Sequence, residues 1–301
     1  PQSDSNIDFS KTSEEDGTKG LYYTNKNTED GKTVYYYRGA VENNYVYFAG
    51  FYWRIIRINE DASIRVILQG QYFNSTGVIG ESYFNEEYDD NAYVGYMYGT
   101  PESDTYEETH ANIYDSDIKK ALDEMYQVYA LPYASYLADS GFCGDRSIAP
   151  EPNLWVDGDS ALGYGKNLTW YGGVQRYIAA SPQFSCPQSN DLYTVNNSKG
   201  NKALDYPIGL ITADEVIYAG GSDDGKDGND SYYLNTGVGY WTMTPYFYGL
   251  SFSTDFAAGD TLGVPLSPVS FGIRPVINLK SDVEITQGNG TSSNPYVIKT
   301  N

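Results

Sequence analysis

Few side chains in this 301-residue chain are suited to acid–base or nucleophilic catalysis. The single histidine, His110, lies in a polar segment, where a solvated side chain is expected. Serine and cysteine hydrolases need a base beside the nucleophile, and metal-assisted chemistry usually needs several His or Cys ligands. The 40 acidic residues offer many carboxylate pairs for glycoside hydrolysis, but their spacing singles none out. With no GxGxxG or Walker sequence either, the pattern predicts a protein that is not an enzyme.

An acidic stretch near residue 225 has the oxygen-rich composition of a calcium loop. It lacks the terminal glutamate of the EF-hand loop, so a solvated acidic turn is the alternative. Calcium is the one candidate cofactor, and no other is expected. The candidate ligands are Asp223, Asp224, Asp227, Asn229 and Asp230.

The chain has two cysteines, Cys143 and Cys186. In an exported protein they are expected to form a disulfide, which would stabilise the fold by roughly 4 kcal/mol for a loop of this length. Two free buried thiols are the alternative. Neither cysteine has a Cys or His neighbour at the spacing of a zinc site.

The net charge of −21 restricts the class of partner. Nucleic acids and anionic membranes attract clustered Lys and Arg, so neither is an expected partner. The sequence shows no transmembrane run and no signal peptide, and it begins at Pro1, so we expect a mature or trimmed form of an exported protein. An extracellular or cell-surface location and a protein or glycan ligand follow from this interpretation.

Residues 232–279 are the stretch around which the remaining chain is organised. Two predicted buried strands, 239–244 and 271–279, flank an irregular segment that would display side chains. Trp241 and Arg274 would hold this frame, with Arg274 bonding carbonyls or an acid inside it. Aromatic side chains supply contact area at low entropic cost, so ligand binding is assigned to the segment between the strands. The candidate binding residues are Tyr246, Phe247, Tyr248, Leu250, Phe252, Asp255, Phe256, Asp260 and Leu262.

The upstream residues supply the predicted scaffold. Residues 1–20 are polar and charged, which favours a loose arm or linker. Residues 21–70 carry short apolar or alternating runs between turns, which predicts an antiparallel β-meander, either integral or a small subdomain. Three arginines of this meander are expected on its solvent face: Arg54, Arg57 and Arg65.

Two helices are predicted, and each follows a long structured loop, at 71–115 and at 139–206. The first covers 116–138, is capped by Ser116, and ends or kinks at Pro132. The second begins at Thr212, which forms a capping box with Glu215, and it stops at the glycines 220–221. The final residues, 283–298, predict two strands around a Gly/Ser turn. Most of the 32 tyrosines fit half-buried strand positions.

Six motifs resemble a group of exported Gram-positive bacterial proteins that carry an uncharacterised domain without assigned activity. They are FYWRIIRI at 51–58, GFCGDR at 141–146, YPIGLITADE at 206–215, YWTM at 240–243, GIRPVINL at 272–279 and the ending GTSSNPYVI at 290–298. More distantly, the late GIRPV strand is similar to the C-type-lectin-like fold of formylglycine-generating enzymes and of retroelement variable proteins. The resemblance implies an α+β fold over residues 21–301, mostly antiparallel strands with two main helices and long structured loops.

The two branches of that fold imply different functions. The enzyme branch needs paired catalytic cysteines late in the chain or a three-histidine iron site, which Cys143, Cys186 and His110 do not match. The retroelement branch diversifies adenine-bearing codons, which cannot become Lys, Glu, Gln, Met or Trp, and residues 245–271 contain none of these. The resemblance thus implies a receptor or adhesin with a diversified binding face. An ordinary lectin-like face remains open, as does a structural subunit of a surface filament that self-assembles through the same face.

Overall fold

Strands dominate the fold, and the helices are short. The computed structural model describes residues 1–150, 162–221, 229–249, 252–259, 262–264 and 269–300. The predicted α+β class, rich in strands with few helices, is confirmed within these residues. This part of the chain contains four α-helices: α1 Tyr106–Thr109, α2 Asp117–Met125, α3 Gly172–Ile178 and α4 Ala213–Ala219.

The strands are mostly two to eight residues long. They are β1 Gln2–Ser3, β2 Gly20–Thr24, β3 Val34–Arg38, β4 Tyr45–Phe48, β5 Phe51–Ile58, β6 Ile64–Gly70, β7 Glu81–Ser82, β8 Met97–Tyr98, β9 Tyr114–Asp115, β10 Phe142–Cys143, β11 Thr169–Trp170, β12 Leu192–Tyr193, β13 Tyr240–Gly249, β14 Phe252–Ala258, β15 Leu262–Gly263, β16 Phe271–Gly272, β17 Val276–Leu279, β18 Ile285–Gln287 and β19 Tyr296–Ile298.

Strand β5 is the centre of the larger sheet because three strands pair with it. One edge of β5 pairs with β4 near Trp53 and with β3 near Arg57, and the other edge pairs with β6. The predicted antiparallel pairing within residues 21–70 is present, although β3 and β4 pair with β5 and not with each other. Strand β17 pairs with β6, and β19 pairs with β4, so the last strands of the chain complete this sheet.

The smaller sheet holds the aromatic strand β13. Its order is β15-β14-β13-β16-β7, and β11 also pairs with β13. The single strand predicted at 271–279 divides in two: β16 joins this sheet beside Tyr240, and β17 joins the larger one. Proline lacks the N–H that a sheet ladder requires, and Pro275 stands between the two pieces. Arg274 therefore lies at the passage from one sheet to the other.

The two predicted helices differ in how closely they match the structure. Helix α2 begins where expected, because the Ser116 side chain accepts a hydrogen bond from the backbone N–H of Lys119. The chain then changes to a π-helical turn at Tyr126–Ala130 and a 3-10 helix at Leu131–Tyr136, so 116–138 is not one regular helix. Helix α4 has the predicted capping box between Thr212 and Glu215, and Gly220 ends it at φ 104°.

The first twenty residues pack against the domain, so the prediction of a loose arm is wrong. Thr12 and Ser13 are buried, and the Ser13 N–H donates to the Gly220 carbonyl over 3.2 Å. The Phe9 ring meets Tyr218 edge to face at 5.0 Å. These contacts bury enough surface to order a segment whose composition alone favours disorder.

The arginines of the first sheet lie inside the protein, so their predicted solvent exposure is also wrong. Arg54 and Arg65 are buried, and the Arg57 side chain is only 11% exposed. Glu215 of α4 accepts from Arg57 over 2.9 Å and pairs with Arg65 at 2.7 Å. A helix that covers the sheet thus supplies the carboxylate that lets two guanidinium groups be buried.

Candidate functional site

The predicted display face is mostly interior. Tyr246 and Phe247 are half-buried, and both contact Trp170, with the Phe247 ring stacked on it at 4.6 Å. Tyr248 and Phe256 are at most 1% exposed. Strand β13 is an inner strand, paired on both sides and contacted by α3, so its side chains face other protein atoms.

Two further residues of that face, Asp255 and Leu262, are buried as well. Burial raises the pKa of the Asp255 carboxyl well above its usual value, as expected for an acid kept from water. For Tyr248, Asp255, Phe256 and Leu262, the prediction of a ligand-contacting surface is therefore wrong. Phe252 belongs to strand β14, whereas Leu250 and Asp260 lie outside the described residues.

The frame residues Trp241 and Arg274 are both buried. The Trp241 indole N–H donates to the Ser82 carbonyl over 2.8 Å, which joins β13 to β7. Arg274 donates through Nε to the Leu68 carbonyl over 2.9 Å and through Nη1 to the Leu234 carbonyl over 2.7 Å. Its bonds to carbonyls rather than to an acid give it a structural part in the passage between the sheets.

Only Asn229 and Asp230 of the calcium candidate lie within the described residues. Asp223, Asp224 and Asp227 lie outside the described residues. Asn229 is fully buried; its amide N–H₂ donates to Ser13 Oγ and to the Gly220 carbonyl, each over 2.8 Å. Its side-chain oxygen accepts from the backbone N–H groups of Ser231 and Tyr232. Asn229 thus closes a turn, and Asp230 beside it is exposed.

A second acidic group lies beside helix α2. Among the described residues, Asp115, Asp123 and Asp205 form the one carboxylate cluster with metal-site spacing. The fully buried Lys119 Nζ lies 3.2, 2.6 and 3.5 Å from these three carboxylates. The ammonium group occupies the position that a cation would take, so the cluster is an ion-pair network.

The disulfide between Cys143 and Cys186 is present, which confirms that prediction. It borders a charged cleft of about 210 Å³. In this cleft Arg176 bridges Asp145 at 2.6 Å and Asp214 at 2.8 Å, and Glu215 binds two arginines. Burial alone would raise the pKa of Glu215, but the Arg65 and Arg57 guanidiniums hold it below its usual value. These opposite charges compensate one another.

His110 is buried, not solvated as predicted, at 1% exposure. Its Nε2 lies 2.8 Å from the Gly163 carbonyl, and its ring packs against Tyr106 at 4.4 Å. Burial and the nearby Arg146 guanidinium lower the pKa of His110 well below its usual value. A neutral, enclosed imidazole of this kind belongs to the core.

An uncharged concavity lies between β5–β6 and the π-helical turn. This apolar groove has a volume of about 560 Å³. Three parts of the chain line it: strands β5–β6 with Trp53 and Leu68, the end of α2 and the π-helical turn with Met125, Tyr126, Tyr129 and Ala130, and the segment after β6 with Tyr72, Val78 and Ile79. Pockets of this size with predominantly apolar walls are typical ligand sites.

The walls of the apolar groove expose large apolar side chains. Tyr72 is 67% and Tyr129 52% exposed. Val128 within the π-helical turn and Leu131 directly after it are 65% and 49% exposed. The Tyr129 ring meets Phe51 edge to face at 5.6 Å, and Tyr126 stacks on Tyr206 at 4.7 Å. π-Helical turns are frequent at functional sites, and contiguous exposed apolar patches mark interaction surfaces.

Sequence reasoning missed the apolar groove because its walls come from segments near residues 51, 72 and 126. The available local signal was the run of Val128, Tyr129 and Leu131, which breaks the polar face expected of an amphipathic helix.

No family model, curated protein or solved structure matches this chain. Within the part of the chain that the structure describes, no helix is long and apolar enough to cross a membrane.

Proposed function

We propose that this chain is a non-catalytic, extracellular or cell-surface binding module whose ligand occupies the apolar groove. The observation that carries the proposal is the pair of exposed tyrosines, Tyr72 and Tyr129, that line the same uncharged concavity. Tyrosine in such a position offers a rigid apolar face and a hydroxyl at low entropic cost. The proposed binding site is therefore the groove and not residues 245–270.

The ligand class that fits the apolar groove is an apolar segment of a partner protein. The lining includes aliphatic residues such as Leu68, Ile208 and Ile277, and no charged side chain among the described residues faces it. A glycan would bury many hydroxyl groups against a largely aliphatic and aromatic lining, and each one left without a hydrogen-bond partner costs free energy. Aromatic or branched aliphatic side chains of a peptide carry no such cost.

Two further proposals accompany this function. The disulfide supports export, because disulfides persist in oxidising compartments. A C-type-lectin-like topology is supported by β13 with its hairpin partner β14, followed by β16 and Arg274 at the junction of the sheets. Both rest on features of this chain alone.

Selection of a phage-displayed peptide library against the protein tests the proposal. Tyr129→Ala removes one wall of the groove, and Tyr114→Ala is the matched control because Tyr114 is 51% exposed on strand β9, away from the groove. The proposal would be supported by enriched peptides that are rich in aromatic and aliphatic residues. Tyr129→Ala should bind these peptides at least about tenfold more weakly than the parent, as expected for loss of an aromatic hot spot, and Tyr114→Ala should bind them as the parent does. Equal binding to both variants, or binding of glycans only in a parallel glycan array, would overturn it.

The alternative function is that of a subunit in a surface assembly. The same exposed side chains favour it, because a second copy of the chain can fill the groove. Light scattering across a range of protein concentrations separates the two functions. A concentration-dependent dimer or polymer that Tyr129→Ala dissociates would assign the groove to assembly. A monomer at all concentrations would leave it to a different partner.

A further inference from the structure

The seven arginines of this chain divide into two groups according to their partners. Five of them have a carboxylate within 4.0 Å: Arg38, Arg57, Arg65, Arg146 and Arg176. No described residue supplies a carboxylate within that distance to Arg54 or Arg274. In a protein of net charge −21, two buried guanidinium groups without an acid are the exception.

Both exceptional arginines are held by neutral acceptors. Arg54 donates through Nε to Asn44 Oδ1 over 2.6 Å and through Nη2 to the Val41 carbonyl over 2.8 Å. The bonds of Arg274 to two carbonyls leave its buried Nη2 without a partner. A buried cation is costly unless an opposite charge compensates it. Burial lowers the pKa of Arg54 to about 10, and the neighbouring Arg274 acts in the same direction.

Arg54 borders an open polar pocket of about 430 Å³, hereafter the Arg54 pocket. Its guanidinium carbon lies 3.9 Å from the Tyr45 ring centre and 5.2 Å from that of Tyr233. These two rings hold the guanidinium plane in place.

Three polar atoms of the Arg54 pocket lining are buried without a hydrogen-bond partner: Tyr233 Oη, Thr236 Oγ1 and Gln69 Oε1. Tyr233 and Gln69 are each only 5% exposed. Buried polar atoms are rarely left unpaired. Three that line one pocket with a cation compensated by no described carboxylate therefore indicate a site for a polar ligand. Burial raises the pKa of the Tyr233 hydroxyl, which therefore stays protonated and can donate.

We propose that the Arg54 pocket binds a carboxylate that carries an N–H or O–H donor next to it. The carboxylate accepts from the Arg54 guanidinium and from the Tyr233 and Thr236 hydroxyls. The adjacent donor bonds to Gln69 Oε1, whose amide N–H₂ already donates to the Ser75 carbonyl. Free amino or hydroxy acids and the C-terminus of a peptide share this chemistry.

The rim of the Arg54 pocket restricts the charge of the ligand. Glu42 and Asp230 are exposed lining residues, and both are acidic. They repel a multiply charged anion such as phosphate more strongly than a single carboxylate. The pocket therefore favours a monoanion. Ser75 borders both this pocket and the apolar groove, but Arg54, Tyr233, Thr236 and Gln69 line only the Arg54 pocket.

Titration calorimetry with three small probes tests the assignment: N-acetylglycine, which mimics a peptide C-terminus, glycolate, and the neutral N-acetylglycinamide. We expect the two acids to bind and the amide not to bind. Binding of N-acetylglycine alone would point to a peptide C-terminus, and binding of both acids to a small-molecule ligand. Inorganic phosphate that binds more tightly than either acid, or no binding of either acid at 20 mM (about 100 times a Kd of 200 µM), would overturn the proposal.

Tyr233→Phe is the decisive variant because it removes only an unpartnered hydroxyl. The variant should melt no lower than the parent without ligand and should bind the acids about tenfold or more weakly, since a hydrogen bond to a charged group is lost. Tyr218→Phe is the control, because the Tyr218 hydroxyl donates to the Pro182 carbonyl outside the Arg54 pocket. Equal affinity in Tyr233→Phe and the parent would overturn the assignment.

Carboxylates of the chain itself compete with an external ligand for Arg54. Asp223, Asp224 and Asp227 lie outside the described residues, so a variant with all three changed to Asn is included. Acid binding that is the same in this variant supports an external ligand. Acid binding that appears only in this variant would show that the chain's own carboxylates hold Arg54, and the proposal would fail.

Discussion

The Arg146 guanidinium and the Asp191 carboxylate lie 2.7 Å apart, and neither side chain is accessible to solvent. Asp191 also accepts from the backbone N–H of Arg146 over 2.7 Å. Arg146 donates in addition to the Met97 carbonyl and to Asn112 Oδ1. Arg146 thus joins its own segment to the segments around Met97, Asn112 and Asp191.

Arg146→Met is expected to lower the free energy of unfolding by about 3–5 kcal/mol, because Asp191 is left as an uncompensated buried charge. Urea unfolding followed by circular dichroism measures the loss. Lys120→Met is the control: Lys120 pairs with Asp117 at the surface and should change stability by no more than about 0.5 kcal/mol. A loss no larger than that of the control would show that the pair is not essential.

The disulfide is expected to stabilise the fold by roughly 4 kcal/mol, because it closes a loop across a sequence separation of 43 residues. The double variant Cys143→Ser/Cys186→Ser should show this loss in urea unfolding. A reductant should lower the stability of the parent by a similar amount and leave the double variant unchanged. A parent that is insensitive to complete reduction would contradict the prediction.

His110 is expected to make the folding stability depend on pH in a defined direction. Its folded-state pKa is depressed, so the stability it contributes is present above the unfolded pKa near 6.5 and is lost as the pH falls. If the folded imidazole stays neutral, the loss reaches about 1.4 kcal/mol at pH 5.5. Because the chain has no other histidine, His110→Gln should remove this part of the slope between pH 7.5 and 5.5.

Buried acids act in the opposite direction in the same experiment. Burial raises the pKa of Asp191 and Asp255, so they favour the folded state increasingly as the pH falls. The comparison therefore uses the difference between the parent and His110→Gln at each pH. Parallel curves for the two proteins would mean that His110 has no depressed pKa.

Local patterns were sufficient where a single segment determines its own structure. The capping box of Thr212 and Glu215 and the alternation around Trp53 identified α4 and β5. The same patterns failed for Arg54, Arg57 and Arg65, because both faces of β5–β6 are covered and the compensating Glu215 lies 158 residues from Arg57. Periodicity cannot show which face of a strand is covered.

The candidate site was harder to predict for a related reason. Tyr246 to Leu262 have the composition of a display surface, but strand pairing places most of the described ones in the interior. Trp53, Tyr72 and Tyr129 form the apolar groove only after three distant segments have packed together. Composition identifies residues that can bind, and only the tertiary arrangement shows which of them meet solvent.

A substitution at Gly77 tests the structural role of Arg274 at the passage between the two sheets. Its φ of +77° is left-handed, and a Cβ there would meet the Leu68 carbonyl and lie 2.6 Å from Arg274 Nε. Gly237 is the matched control, because it has φ +76° and nothing within 4 Å of an added Cβ. Backbone strain is therefore the same in Gly77→Ala and Gly237→Ala, and only the available space differs.

We expect Gly237→Ala to cost about 1 kcal/mol of unfolding free energy, from the left-handed backbone alone. Gly77→Ala should cost about 1–3 kcal/mol more, because the new methyl group displaces Arg274 from the Leu68 carbonyl. Urea unfolding of the two variants side by side gives the difference directly. Equal losses would mean that Arg274 can move without cost. The structural role assigned to Arg274 between β16 and β17 would then be wrong.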